Sequence, residues 1–161
     1  MKKLEAINAT DVRKDWGRFI DSVVRNKPKF IKRSRDYIFA ASIDMLNEML
    51  KEYTLTATVY EEENGTITAE LEEIDIAANG STEEEALDIL ASDLQEYAEE
   101  YYNEFEYWYN APNRKAHLPY VLKVLLQEET EDILSMIKCQ AGKSWKYKGI
   151  NGVGRDREKS F

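Results

Sequence analysis

The sequence predicts an α+β protein with two structural modules in a chain of 161 residues. Three observations support that fold class: apolar residues at helical spacing between residues 10 and 25, a strand-turn-strand pattern after residue 30, and a second strand pair that leads into a long amphipathic helix. A hydrophobic content of 43% is enough to bury a core. The length suits one ordinary domain or two small ones.

The first predicted module begins with a helix that Thr10 or Asn8 can cap and that Pro28 ends. Apolar residues recur in it every three or four positions and form one stripe: Val12, Trp16, Phe19, Ile20, Val23 and Val24. A hairpin follows, with apolar residues on both sides of a polar tip at residues 34–36. A short helix from Ile43 to Tyr53 would close this module.

The second predicted module starts with strands at residues 54–60 and 66–71, joined by Asn64-Gly65, a pair suited to the positive φ angles of a tight turn. After a strand from Ile74 to Ala78, Asn79-Gly80 predicts another turn. Ser81 and Thr82 each have a glutamate three residues later, as in a capping box. They predict the start of an amphipathic helix that runs to Trp108.

The last segment predicts a helix from Leu118 to Cys139 that stops at Gly142, with Pro119 tolerable in its first turn. Residues 143–161 are basic and weakly periodic, so we expect loose order there unless a partner holds them. The predicted division is residues 1–52, residues 53–110, and residues 111–161 for the C-terminal helices and tail.

Charge is distributed unevenly along the chain. The net charge is −9, which by itself argues against nucleic acid because polyanions repel an acidic protein. Residues 1–36, however, hold eleven Lys and Arg against five Asp and Glu, a net +6, which leaves −15 for the remainder. A basic head on an acidic body predicts two separate binding roles.

The segments Ala9 to Trp16 (ATDVRKDW) and Phe30 to Arg33 (FIKR) resemble the Phd/YefM antitoxin family. The resemblance implies a β-α-β-β-α module with a short strand at Ala6 to Ala9, a helix at Thr10 to Arg25 and a strand-turn-strand at Phe30 to Ser42. It also implies that the module dimerises and binds operator DNA. So short a module buries little apolar surface alone, so we expect two copies to pool a stripe across a two-fold axis, formed by Trp16, Phe19, Val23 and Phe30. The chain departs from the family pattern at Ser34, where a glycine is usual, and at Asp15, where an asparagine is common.

The residues expected to contact DNA are basic and belong to the first helix and the hairpin: Arg13, Lys14, Lys32, Arg33 and Arg35. Arginine can fork onto guanine edges or phosphates, whereas lysine supplies a less directional charge. The Phd/YefM resemblance singles out Arg13 and Arg33 by their position in the matched motif. The alternative interpretation is a solvated basic face without a ligand.

Residues 56–97 resemble the HicB-like antitoxin domain, a partial RNase H-type fold, most closely in the run Gly80 to Leu87. Together the two resemblances predict an antitoxin that binds operator DNA through its head and neutralises a toxin, an RNA-cleaving or translation-blocking one by analogy, through its acidic body. The aromatic and acidic residues between Tyr97 and Tyr109 suit core contacts or a basic protein partner better than nucleic acid. A DNA-binding regulator without a toxin, or a protein-interaction adaptor, remains the alternative.

Other classes find little support in the sequence. One cysteine, Cys139, and one histidine, His117, exclude an internal disulfide and leave no ligand set for structural zinc, so both are expected to be packing or surface residues. Strand periodicity divides the carboxylates of residues 70–75 between faces, which disfavours a metal nuclease. No enzyme signature, cofactor motif, membrane span or export signal is evident, so the expectation is a cytoplasmic, non-enzymatic dimer.

Overall fold

The computed structural model describes residues 4–142, in which the chain is a mixed α+β structure, as predicted. The chain divides into two compact units, Met1–Glu52 and Tyr53–Phe161. The prediction of loose order for residues 143–161 lies outside the described residues. Among residues 4–142 no helix combines the length and apolar character that a membrane crossing requires.

The first unit places three strands against two short helices. Its elements are β1 (Ile7–Asn8), α1 (Ala9–Lys14), α2 (Trp16–Arg25), β2 (Lys29–Arg33), β3 (Asp36–Ala40) and α3 (Ile43–Leu50). The sheet order is β1-β2-β3, with β1 parallel and β3 antiparallel to β2. Its small core consists of four buried residues: Val12, Phe19, Val23 and Ile31.

The single helix predicted for residues 10–25 is two helices. Asp15 leaves the helical region, with φ −141° and ψ 67°, and its side chain accepts a hydrogen bond from the Arg18 N–H at 3.2 Å. Asp15 therefore ends α1 and caps α2, because its carboxylate satisfies a backbone donor at the new helix start. Asn8 caps α1 by accepting from the Thr10 N–H at 2.9 Å. The third helix ends at Leu50, three residues before the predicted Tyr53.

The second unit packs helices on a four-stranded mixed sheet. Its elements are β4 (Leu55–Glu61), β5 (Ile67–Leu71), β6 (Ala77–Gly80), α4 (Glu83–Asn103), α5 (Phe105–Asn110), a 3-10 turn (Lys115–His117), α6 (Leu118–Leu125), α7 (Thr130–Met136) and β7 (Ile137–Ala141). The sheet order is β6-β5-β4-β7, with β7 parallel to β4 and the other pairs antiparallel. The core lies between the sheet and α4, whose Leu90, Leu94 and Ala98 are fully buried.

Two predicted turn signals have different outcomes. The turn at Asn64-Gly65 is confirmed, with a positive φ of +85° at Gly65, but Asn64 does not adopt the positive φ that the pair predicts. The Asn79-Gly80 turn is wrong, because both residues belong to β6 and pair with Thr68 and Ile67 of β5. The strand predicted from Ile74 to Ala78 accordingly begins later, at Ala77. The chain instead bends at residues 72–75.

The long helix predicted from Thr82 to Trp108 begins as expected and breaks before its predicted end. Thr82 caps α4 by accepting from the Glu85 N–H at 3.1 Å, and Glu85 accepts from the Ser81 N–H at 2.7 Å. At Glu104 the backbone leaves the helical region and α5 begins. The break lets Trp108 fold back onto α4, where its ring centroid lies 5.5 Å from that of Tyr97.

The C-terminal helix predicted from Leu118 to Cys139 is wrong in its last part. The segment forms α6, α7 and then the strand β7, which pairs with β4 so that Ile137 faces Leu55. Pairing with β4 satisfies backbone groups that a helix would satisfy internally, and it places Ile137 in the core. The local apolar pattern could not predict this strand, because the strand with which it pairs is distant in the sequence.

Candidate nucleic-acid interface

The topology of the first unit brings α1 and the hairpin tip to one end of the sheet. Strand β1 runs parallel to β2 and ends with Asn8 paired to Lys32, and α1 begins at the next residue, Ala9. Arg33, the last residue of β2, therefore lies beside the start of α1. At 1.5 Å per residue, Arg13 is only about 6 Å farther along the helix axis.

The hairpin tip is a two-residue loop. Arg33 pairs with Asp36 across β2 and β3, which leaves Ser34 and Arg35 as the loop residues. Ser34 adopts a φ of 55°, a conformation that strongly favours glycine. Ser34 therefore has a backbone conformation that would suit the glycine usual at this position of the Phd/YefM pattern.

The two neighbouring basic residues of β2 lie on opposite faces of the sheet. Arg33 shares the face of Ile31, which is buried against α1 and α2. Lys32 lies on the other face, opposite Tyr37, and its Nζ is 5.6 Å from the centre of the Tyr37 ring. Alternation along a strand could have predicted this separation from the sequence.

All five predicted contact residues are exposed. Lys14 forms an ion pair with Asp11 at 3.0 Å, but such an exposed pair contributes little stability and leaves the ammonium accessible. Among the residues that the structure describes, Arg13, Arg33 and Arg35 form no ion pair. Their guanidinium groups can each present a fork of N–H donors to an anion.

A second exposed feature of the first unit is aromatic. We use the name outer face of the first sheet for Phe30, Lys32, Tyr37 and Phe39, which alternation places together. Phe30 and Phe39 are cross-strand partners with ring centroids 5.1 Å apart, and Phe39 keeps 45% of its surface exposed. The sequence prediction for a two-fold contact includes Phe30 but not Tyr37 or Phe39, which strand pairing places on the same face.

The stripe proposed from sequence for a two-fold contact is only partly available. Phe19 and Val23 are buried in the core of their own unit. Trp16 is 59% exposed and Phe30 is 36% exposed, so these two remain accessible. A self-association surface can therefore include Trp16 and Phe30 but not Phe19 and Val23.

The second unit carries an exposed aromatic and acidic surface on α4 and α5. Tyr102 is 59% exposed and Tyr107 is 68% exposed, and the exposed carboxylates of Glu99 and Glu106 belong to the same helices. Such a surface offers apolar contact area beside negative charge. It is suited chemically to a basic protein partner.

His117 is a buried packing residue in this unit. Its Nδ1 lies 2.7 Å from the Tyr97 hydroxyl, and burial lowers the pKa of the imidazole, an effect that the positive charge of Arg114 reinforces. Burial also raises the pKa of Tyr97. The Arg114 carbonyl accepts from the Tyr101 hydroxyl at 2.8 Å, which ties the loop before α6 to α4.

Three of the four carboxylates of residues 70–75 have separate partners. Glu72 accepts from the Thr58 hydroxyl, Glu73 accepts from the Thr56 N–H, and Asp75 lies 3.4 Å from Arg114. No cluster of three or more His, Cys, Asp or Glu within residues 4–142 is arranged to hold a metal ion.

Comparisons with known proteins agree on one class. A solved structure described as an antitoxin part of a proposed toxin/antitoxin system from Syntrophomonas wolfei subsp. wolfei is 37% identical, with a TM-score of 0.81 over 86% of this chain and 100% of that chain. The search of curated proteins gave no match. The family model PHD_like, described as "Antitoxin of toxin-antitoxin, RelE / RelB, TA system", matches residues 1–140. The chain therefore belongs to this family of toxin-antitoxin antitoxins, which indicates a regulatory role and a cognate toxin as partner.

Proposed function

We propose that this antitoxin binds operator DNA through its first unit, as a Phd/YefM-like module would. The observation that carries the proposal is the meeting of α1 and the hairpin tip at one end of the sheet, where Arg13, Arg33 and Arg35 are exposed and form no ion pair among the described residues. Lys14 and Lys32 add positive charge close to this end.

Arginine and lysine have different roles in the proposed complex. The forked guanidinium groups of Arg13 and Arg33 are suited to paired hydrogen bonds with guanine edges or phosphates. Lys14 would neutralise a phosphate without reading sequence. Lys32 lies on the opposite face of the sheet from Arg33, so it would add to the positive potential near the hairpin tip. Binding should therefore weaken steeply as salt rises, because each neutralised phosphate releases counterions.

The test is the affinity of the full chain for DNA from its own promoter, measured by fluorescence anisotropy over a range of salt. Replacing Arg13 and Arg33 with Ala should weaken binding by at least about tenfold and reduce the salt slope by about two. Arg25→Ala is the matched control: Arg25 ends α2 four residues before β2 starts, at the end of the unit away from the tip. Equal affinities for the double variant and the control, with unchanged circular dichroism, would refute the proposal.

We also propose that the first unit forms the homodimer. Its outer face exposes Phe30, Tyr37 and Phe39, and a second copy could cover them across a two-fold axis. Phe39→Asp should shift the full chain toward monomer in light scattering at matched concentrations, because a carboxylate would be buried at the contact. Tyr102→Asp, a similar change on the second unit, should leave the oligomer unchanged. A dimer that persists in Phe39→Asp places the contact elsewhere.

The second unit, whose strands and long helix support a HicB-like interpretation, is proposed to neutralise the toxin. Its exposed aromatic residues would supply contact area, and its carboxylates would speed encounter with a basic toxin. Tyr102→Ala with Tyr107→Ala should reduce rescue of growth when the antitoxin is co-expressed with its cognate toxin. Ile43→Ala on the first unit, at a side chain that is 59% exposed, should rescue as well as the unchanged chain. Full rescue by the double variant would show that these helices do not contact the toxin.

A further inference from the structure

The sheet of the second unit has a polar face on the side away from α4. Leu55, Ala57 and Val59 of β4 are buried toward α4, so Thr56, Thr58 and Tyr60 point the opposite way. Cross-strand pairing adds residues of β5 and β7 to the same side. We use the name outer face of the second sheet for this surface: Thr56, Thr58, Tyr60, Glu62, Thr68, Glu70, Glu72, Lys138 and Gln140.

Three carboxylates lie on this outer face, and two of them accept hydrogen bonds from it. The Thr68 hydroxyl donates to Glu62 Oε1 at 2.7 Å, and the Thr58 hydroxyl donates to Glu72 Oε1 at 3.1 Å. Glu70 lies opposite Thr58 and is exposed. Within residues 4–142 none of the three forms an ion pair, although Lys138 shares the face. Burial raises the pKa of Tyr60, and the negative charges of Glu70 and Glu62 raise it further.

The chain leaves the last strand directly against this face. The Gly142 N–H donates to the Val59 carbonyl at 2.8 Å. A Cβ placed on Gly142 would lie 2.9 Å from Tyr60 Cβ and 3.3 Å from Thr58 Cγ2, so residue 142 is in close contact with two side chains of the outer face. Gly142, the last described residue, therefore lies beside Tyr60, two positions before Glu62.

The charge of those following residues is opposite to that of the unit. Residues 53–142 hold four Lys and Arg against 21 Asp and Glu, whereas residues 143–161 hold six against two. Lys143, Lys146 and Lys148 come first, with no acid among them. An extended segment of eight residues can span about 26 Å. The outermost strands of a four-stranded sheet are about 14 Å apart, so such a segment is long enough to cross the face.

We propose that the outer face of the second sheet binds the basic segment 143–161 of the same chain. The lysines at 143, 146 and 148 would neutralise Glu62, Glu70 and Glu72. The close contact at Gly142 would bring the segment to the face at little entropic cost, because the first lysine follows it directly.

Zero-length carbodiimide crosslinking of the full chain tests which carboxylates the segment contacts. Mass spectrometry should find amide links from Lys143, Lys146 or Lys148 to Glu62, Glu70 or Glu72 in preference to the exposed glutamates of α4. An equal mixture of isotopically light and heavy protein separates links within a chain from links between chains. Links mainly to α4, or mainly between light and heavy chains, would overturn the proposal.

Limited trypsin digestion gives an independent readout. The triple variant Glu62→Gln, Glu70→Gln, Glu72→Gln should be cleaved after Lys143, Lys146 and Lys148 about tenfold faster than the unchanged chain, if three exposed ion pairs act together. Glu84→Gln, Glu96→Gln, Glu100→Gln on α4 removes the same charge and should leave the rate unchanged. Equal rates in the two triple variants would refute binding at this face. Circular dichroism confirms that both remain folded.

Discussion

The two units of this antitoxin differ most in how much they can bury. The first has a core cluster of four residues, whereas the cluster of the second has eighteen, including every fully buried residue of α4. Charge differs as well, at +4 for residues 1–52 and −13 for residues 53–161. A unit with so small a core is marginal by itself, which supports the proposal that its exposed aromatic residues are covered by a second copy.

The largest expected effects come from the two cores. Phe19→Ala in the first unit and Leu94→Ala in the second should each lower the free energy of unfolding by about 2–5 kcal/mol, since both residues are buried. Amide hydrogen exchange, followed by mass spectrometry, assigns the loss to one unit or the other. We expect Phe19→Ala to deprotect most of the first unit, and Leu94→Ala to deprotect only part of the second.

That expectation depends on the difference in core size. If Leu94→Ala deprotected the second unit as completely as Phe19→Ala deprotects the first, core size would not explain the contrast. Ile89→Ala is a suitable control, because Ile89 lies on the same helix as Leu94 and is 37% exposed. Its effect should stay below about 1 kcal/mol.

The helix caps give a smaller and more closely matched comparison. Asp15 caps α2 in the first unit and Thr82 caps α4 in the second, each through one backbone N–H. Asp15→Ala and Thr82→Ala should each lower the free energy of unfolding by about 1 kcal/mol in chemical denaturation. Asp15→Asn and Thr82→Ser keep a capping oxygen and should restore most of the loss. If they fail to do so, the caps are not the cause.

Local chemistry made some elements predictable and tertiary contacts made others unpredictable. The Gly65 turn and the Thr82 cap follow from residues close in sequence, and both were predicted. The strand at Ile137 depends on pairing with Leu55, 82 residues earlier, whereas its local apolar spacing predicts a helix. Asp15 is a residue type that often caps helices, but the apolar spacing on both sides of it predicts one continuous helix.

The candidate site was partly accessible to sequence reasoning. The exposed charge of Arg13 and Arg33 could be predicted, because arginine is seldom buried without a partner. The separation of Lys32 from Arg33 follows from strand alternation and could also have been foreseen. The meeting of α1 with the hairpin tip could not, because it requires the parallel pairing of Asn8 with Lys32.

Lowering the pH should reduce the stability of the second unit through His117, and the first unit has no histidine. His117 is the only histidine of the chain, and burial lowers its pKa. Below about pH 6.5 the unfolded chain takes up a proton that the folded unit resists, so stability falls as pH drops from 7 through 6.5 and levels off below the folded pKa. Urea midpoints at pH 7 and pH 5.5 should differ more for the unchanged chain than for His117→Gln. An equal difference would assign the acid sensitivity to other groups.

The smallest expected effect compares the two hairpin turns. Ser34 in the first unit has a φ of 55° and Gly65 in the second has a φ of 85°, so only the second turn has a residue suited to its backbone. Ser34→Gly should stabilise the chain by about 0.5 kcal/mol, because relief of the Cβ contact is partly offset by the greater freedom of glycine in the unfolded chain. Gly65→Ala should destabilise it by about 1 kcal/mol for the reverse reason. Ser34→Ala keeps a Cβ and should give no gain, so a chain with Ser34→Ala as stable as one with Ser34→Gly would show that the turn of the first unit is not strained.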